Sequence, residues 1–145
     1  MTYAGHSAYK RIASRIDSKE MMLVKLLEGA VRCIQAARTG IETGDIKIKS
    51  ENISRAVAII TELDCALDRD MGGSLVENLS NLYPYILNRL TLGNLRNDNR
   101  IMDEVETLMT TIRDGFAEAF RMSTSMASPN SFPSYESQKG FRVAA

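Results

Sequence analysis

Tryptophan is missing from this chain, histidine occurs once, cysteine twice and proline three times in 145 residues. A lone histidine, His6, cannot supply the paired Glu-x-x-His ligands from which helical bundles build di-iron centres. A nucleophile–base couple would need His6 or a buried carboxylate beside Cys33 or Cys65. Neither cysteine has a histidine beside it in sequence, and the one adjoining carboxylate, Asp64 before Cys65, lies on a helix without a base partner. Gly72 and Gly73 are adjacent, but no GxGxxG and no Lys-Ser/Thr follows to make a phosphate loop. No metal, cofactor or catalytic set is therefore expected, and the function left open by these absences is binding.

Charge of one sign is absent as well: Lys+Arg and Asp+Glu each number 18. A protein that holds nucleic acid by releasing counterions is usually basic overall or on one face. The densest basic run, "KRIASR" (Lys10 to Arg15), is short, so nucleic acid is not an expected partner. No run of 18 apolar residues exists to span a membrane, and the N-terminus lacks the apolar core of a secretory signal. Cys33 and Cys65 lack CxxC spacing and fall inside predicted helices, so they read as reduced core thiols rather than a disulfide. Such a chain is expected to be cytoplasmic.

What the sequence does have is 44% hydrophobic residues, enough for one continuous core, laid out in four helical segments. The first carries Leu23, Leu27, Ala30, Ile34, Ala37 and Ile41 at heptad-like spacing. Asp17 or Ser18, with Glu20, marks its predicted start as in a capping box, and Gly40 and Gly44 its end. The second, from near Asp45 to about Asp68, shows Ile53, Val57, Ile60, Leu63 and Leu67. Gly72 and Gly73 then offer positive φ, and Ser74 is the predicted N-cap of the third, with Leu75, Leu79, Leu82, Ile86 and Leu90. The fourth follows "NDN" (Asn97 to Asn99) and shows Ile101, Val105, Leu108, Ile112, Phe116 and Ala119. The carboxylates of "MDEVE" (Met102 to Glu106) flank this stripe and read as solvated. No β alternation is present. Long helices joined by short loops must run antiparallel, so the predicted fold is an all-α, up-down-up-down four-helix bundle.

The ends differ. Tyr9, Ile12 and Ile16, at i, i+3, i+7, make residues 1–17 either a small amphipathic turn docking on the bundle or a frayed end. Residues 126–145 are rich in Ser and Pro and read as a flexible tail, which places the bundle at residues 18–122 and the tail at 123–145. The third helix carries more apolar surface than one stripe needs: Val76, Tyr83, Tyr85, Leu87 and Leu92 besides its core line. Tyr83 and Tyr85 point about 200° apart; Tyr83 fits either a wide core face or an interface. Pro84 removes an amide from the helix and predicts a kink. Eight methionines, Met21, Met22, Met102, Met109 and Met122 among them, serve either as gap-fillers or as an adaptable binding surface.

At "GGSLVENLSNLYPYILNRL" (Gly72 to Leu90) the chain resembles the FliS-type flagellar export chaperones, whose Gly-Gly is followed by Asn-Leu, Leu-Tyr, Tyr and Arg-Leu. "NLRNDNRIMDEVETLMTTIRDGF" (Asn94 to Phe116) is similar to that family's Asn-Asp turn and Glu-Val helix. Weaker echoes are "LLEGAVRCI" (Leu26 to Ile34) and Ala8-Tyr9. The likeness covers roughly residues 8 to 122. It departs from the family's usual residues at Leu27, Pro84, Gly93, Phe116 and His6.

The resemblance implies a cytosolic chaperone that binds the C-terminal segment of flagellin, prevents premature polymerisation and delivers it to the flagellar export gate. It implies a flagellin-binding groove at Leu79, Leu82, Tyr83, Tyr85, Ile86 and Leu90, a helix-connecting turn at Gly72, Gly73 and Ser74, and an N-terminal plug with Tyr9, Ile12 and Ile16 lying over the groove. A monomer or weak homodimer is the expected state. The alternative is a client-free bundle that dimerises through its spare apolar face.

Overall fold

A computed structural model describes the backbone of residues 2–127 and the side chains of residues 18–123. These residues form α1 (Thr2–Thr43), α2 (Ile46–Ala66), α3 (Ser74–Arg96) and α4 (Asn99–Ala127), with a 3-10 turn at Arg69–Met71. No strand occurs among them. The chain divides into two compact units, Met1–Arg113 and Asp114–Ala145, with the division inside α4; the first holds α1, α2, α3 and α4 as far as Arg113.

Cross-links between helices give the topology. Gly29 packs on Ile59 and Gly40 on Lys49, so α2 runs back along α1. Lys49 at the start of α2 donates from Nζ to Asn97 Oδ1 (2.7 Å) at the end of α3, while Asp64, near the other end of α2, acts on Tyr83. Arg89 donates from Nε to Glu104 Oε1 (2.7 Å) and Gly93 faces Met102, joining α3 to α4. Arg38 Nη1 reaches Asp103 Oδ1 (3.1 Å), and Gln35 Nε2 reaches Glu106 Oε1 (2.9 Å), joining α4 to α1. Residue numbers rise along one helix as they fall along its neighbour at all four seams. The order is up-down-up-down, as the short loops required.

The two hairpins at one end of the bundle share a construction. In α1–α2, Asp45 N–H donates to the Gly40 carbonyl (2.8 Å) across Gly44, whose φ is 71°. In α3–α4, Asp98 N–H donates to the Gly93 carbonyl (3.1 Å) across Asn97, whose φ is 49°. Each is a Schellman closure with a left-handed residue, followed by an aspartate that caps the next helix. Asp45 Oδ1 accepts from Ile48 N–H and Asp98 Oδ1 from Arg100 N–H. Gly40 is required for another reason too: a Cβ there would sit 2.6 Å from the backbone nitrogen of Lys49.

The core matches the predicted stripes at their centres and departs at their ends. Leu27, Ala30, Ile34 and Ala37 are buried, as are Ile53, Ile60 and Leu63, then Leu79, Ile86 and Leu90, then Ile101, Val105 and Ile112. Met102 and Met109 are fully buried gap-fillers, whereas Met21, Met22 and Met122 are exposed. Leu75 is exposed because it lies in the first turn of α3, at the end of the bundle. Ala119 is also exposed, and Leu23, Ile41, Val57, Leu67, Leu82, Leu108 and Phe116 are half-buried.

Several local expectations need correction. The first helix does not start at Asp17 or Ser18; α1 runs unbroken from Thr2, so the capping-box reading fails. Gly73, not Ser74, is the N-cap of α3, and it makes no side-chain cap bond. Gly72 and Gly73 do take positive φ, 67° and 92°. Cys33 and Cys65 are free thiols, but neither is in the core: Cys33 is half-buried and Cys65 exposed. α3 continues through Pro84 on both sides. α4 extends to Ala127, so residues 123–127 are helical, and residues 128–145 lie outside the described residues, as do the side chains of Tyr9, Ile12 and Ile16. In the second unit, Phe116 and Phe120, one turn apart, pack with tilted rings whose centroids are 5.8 Å apart, and Arg121 pairs with Glu118.

Candidate binding surface

The residues expected to form a groove on α3 divide sharply by burial. Leu79, Tyr83, Ile86 and Leu90 face the core. Tyr83 is only 2% exposed, which decides the open choice at that position in favour of the core. Burial, and then the Asp64 carboxylate, push its phenol up to about 12. Leu82 is half-buried, and Tyr85 is 44% exposed. A groove drawn through all six is not a surface of this fold. The reason is periodicity: with Tyr83 added, the core face of α3 is wider than one stripe, while Val76, Leu87 and Leu92 are half-buried at its margins.

Tyr85 is held in place rather than loose. Its Oη donates to Glu104 Oε1 (3.1 Å), the oxygen that also accepts from Arg89 Nε. The Arg89 hydrogen bond, helped by that of Tyr85, keeps the Glu104 carboxyl below its usual range against opposing desolvation. Across the bundle, burial alone would raise Glu106, but bonds from Gln35 and Arg38 bring it below its usual range. The carboxylates of the "MDEVE" run were expected to be solvated. Asp103, Glu104 and Glu106 instead tie α4 to both neighbours.

Apolar groups left at the surface gather elsewhere. Met22 lies seven residues before Gly29, and Ala66 seven after its partner Ile59. At 1.5 Å per residue both reach the same level, so Met21 and Met22 stand at the end of the bundle where α2 passes to α3. Met71 (77% exposed) and Leu75 are at that end too. The opposite end, with both Schellman turns, exposes Ile46, Ile48 and Leu95. Between the ends, the outer seam of α1 and α2 forms a groove of about 540 Å³ lined by Gly29, Arg32, Cys33, Ala36, Asn52, Arg55, Ala58 and Ile59. Among the described residues, no group of three His, Cys, Asp or Glu is placed to hold a metal ion. No helix among them is long and apolar enough to cross a membrane.

An antiparallel bundle with apolar groups at both ends and in one seam is a scaffold for binding, and comparison with known proteins identifies which. The family described as "Flagellar protein FliS" matches residues 1–123. The chain belongs to the FliS family. It is 36% identical over 132 residues to the flagellar secretion chaperone FliS of Salmonella typhimurium strain LT2, covering 88% of this chain and 95% of that one. The flagellar secretion chaperone FliSB of Pseudomonas aeruginosa is 36% identical over 101 residues, covering 69% and 80%. FliS of Bacillus subtilis strain 168 is 29% identical over 116 residues, covering 80% and 86%. FliS is a family of chaperones, not of enzymes.

Sequence reasoning missed Ile46, Ile48, Met71 and Leu95 in this FliS-family chain, and assigned Leu75 to the core. All five sit in a turn, in a first helical turn or beside a helix end, where a periodic stripe no longer indicates burial. The glycines and asparagines bounding those turns are the signal that would have found them.

The ion pairs predict a pH dependence. A carboxyl with a depressed folded pKa adds stability above its unfolded pKa and loses it as pH falls through the folded value. Stability should therefore fall progressively from about pH 5 downward, through about pH 4.3, where an unfolded Glu is half protonated. In Glu104→Gln the urea midpoint should fall less steeply between pH 5 and 3 than in the wild type. Equal slopes would remove Glu104 from the linkage.

Proposed function

We propose that this chain is a cytoplasmic chaperone of flagellar type III export that binds the C-terminal segment of flagellin. It keeps that segment from polymerising prematurely and delivers it to the export gate, working as a monomer or weak homodimer. The observation that carries this reading is the family match over residues 1–123. The methionines and leucines exposed at the bundle ends support it, since thioethers and branched chains adapt to varied apolar partners.

Magnitudes favour an extended client path. Four or five Leu/Ile-sized groups buried by one client helix contribute roughly 6–15 kcal/mol. Association and ordering cost roughly 4–15 kcal/mol. One helix in one groove would bind weakly; a segment that folds as it wraps around the bundle reaches useful affinity and still releases. In this reading residues 1–17, with Tyr9, Ile12 and Ile16, leave the line of α1 to cover apolar surface until the client displaces them, which lowers apparent affinity by the covered fraction.

Calorimetric titration with the C-terminal segment of flagellin from the same organism tests the proposal. Saturable one-to-one binding with a large negative heat-capacity change is expected, and deletion of residues 1–17 should raise the apparent affinity. No heat at several temperatures, with a stable dimer by sedimentation, would favour a client-free structural module.

A further inference from the structure

The groove on the outer seam of α1 and α2 combines small residues with two arginines. Its floor is small: Gly29, Cys33 and Ala36 from α1, Ala58 from α2, with Ile59 beside Gly29. Helix axes come within about 8–10 Å only as their contact side chains allow, so this floor admits another helix closely. From Gly29 to Ala36 it extends roughly 10 Å along the axis, about two turns. The volume, about 540 Å³, suits a few side chains rather than a whole domain.

Charge selects the occupant. The only charged side chains in the lining are Arg32 and Arg55, one on each helix. The pairing of Gly29 with Ile59 puts them at nearly the same level, one on each side of the groove. Neither forms an ion pair among the described residues, whereas Arg38 and Arg89, on other faces of the bundle, are both bonded to carboxylates. A forked guanidinium on each side of an apolar slot is matched by a carboxylate carried into the slot by its ligand.

We propose that the α1–α2 groove seats a short amphipathic helix of the exported client, with small apolar side chains on the groove floor and a carboxylate between Arg32 and Arg55. This rests on the chaperone reading above and adds to it a location and a chemistry. Seating requires no movement of the bundle, because the floor is already open and its two walls are helices held by the core.

The test uses the full chain and the C-terminal segment of flagellin from the same organism, titrated at two salt concentrations. Arg32→Glu/Arg55→Glu should weaken binding about tenfold and flatten its salt dependence. Ala58→Trp, which fills the groove from an exposed position, should weaken binding more than about tenfold. Both variants change exposed residues, so their melting temperatures should match the wild type. Cys33 lies in the lining, and client should shield it from iodoacetamide. Wild-type affinity in both variants, with Cys33 still alkylated at saturating client, would overturn the groove assignment and leave the chaperone reading standing. No binding by the wild type would overturn both. A wild-type dimer that Ala58→Trp abolishes, with client affinity unchanged, would assign the groove to a second copy of the chain and overturn the proposal.

Discussion

Leu79→Asp is expected to leave no cooperatively folded population at 25 °C, while Leu75→Asp, one turn earlier on the same helix, should melt close to the wild type. Both leucines sit on one stripe of α3, yet Leu79 is 4% exposed and Leu75 is 59% exposed. Truncating a buried leucine costs about 2–5 kcal/mol through lost transfer and the cavity left behind. An uncompensated buried carboxylate adds several kcal/mol more. Together they approach the whole stability of a typical domain, about 5–15 kcal/mol. At Leu75 the side chain already meets water, so the change should stay within about 0.5 kcal/mol. Far-UV circular dichroism on heating distinguishes the two. A Leu79→Asp protein that melted like the wild type would remove Leu79 from the core and reopen α3 as a surface.

That pair also marks where the sequence is legible. Heptad spacing identifies Ile34, Ile60, Ile86 and Val105 as core because each lies mid-helix, with neighbours on both sides along the axis. The same spacing misleads at Leu75 and Ala119, where periodicity continues but covering neighbours do not. The Gly-x-x-x-Gly-Asp of 40–45 and the Gly-x-x-x-Asn-Asp of 93–98 are a visible repeat, since a left-handed residue followed by an aspartate cap leaves few other local structures. What spacing cannot convey is pairing across the bundle. The contacts of Arg38 with Glu106 and of Arg89 with Glu104 depend on the relative rotation of two helices, and a carboxylate flanking an apolar stripe looks solvated until that rotation is known. The groove between α1 and α2 was hidden for the same reason: Gly29, Cys33 and Ala58 are unremarkable singly and become a floor only when two helices set them side by side.

Tyr83→Ala is the second large effect, and it separates core from client surface on α3. Removing a fully packed aromatic costs about 3–5 kcal/mol, chiefly through the void it leaves. Tyr83→Phe keeps the ring and loses only a hydroxyl near Asp64, so it should cost about 1 kcal/mol or less. Tyr85→Ala deletes an exposed ring and its hydrogen bond to Glu104, and exposed changes of this kind usually stay near 0.5 kcal/mol. Urea midpoints should therefore order as Tyr83→Ala lowest, then Tyr83→Phe, with Tyr85→Ala near the wild type. Client affinity should order differently. Measured below the melting temperature of every variant, it should change more for Tyr85→Ala than for Tyr83→Phe, because of the two rings only that of Tyr85 is exposed. If Tyr83→Ala lost client binding while keeping the wild-type urea midpoint, Tyr83 would be an interface residue after all, and the buried face of α3 would have to open when client binds.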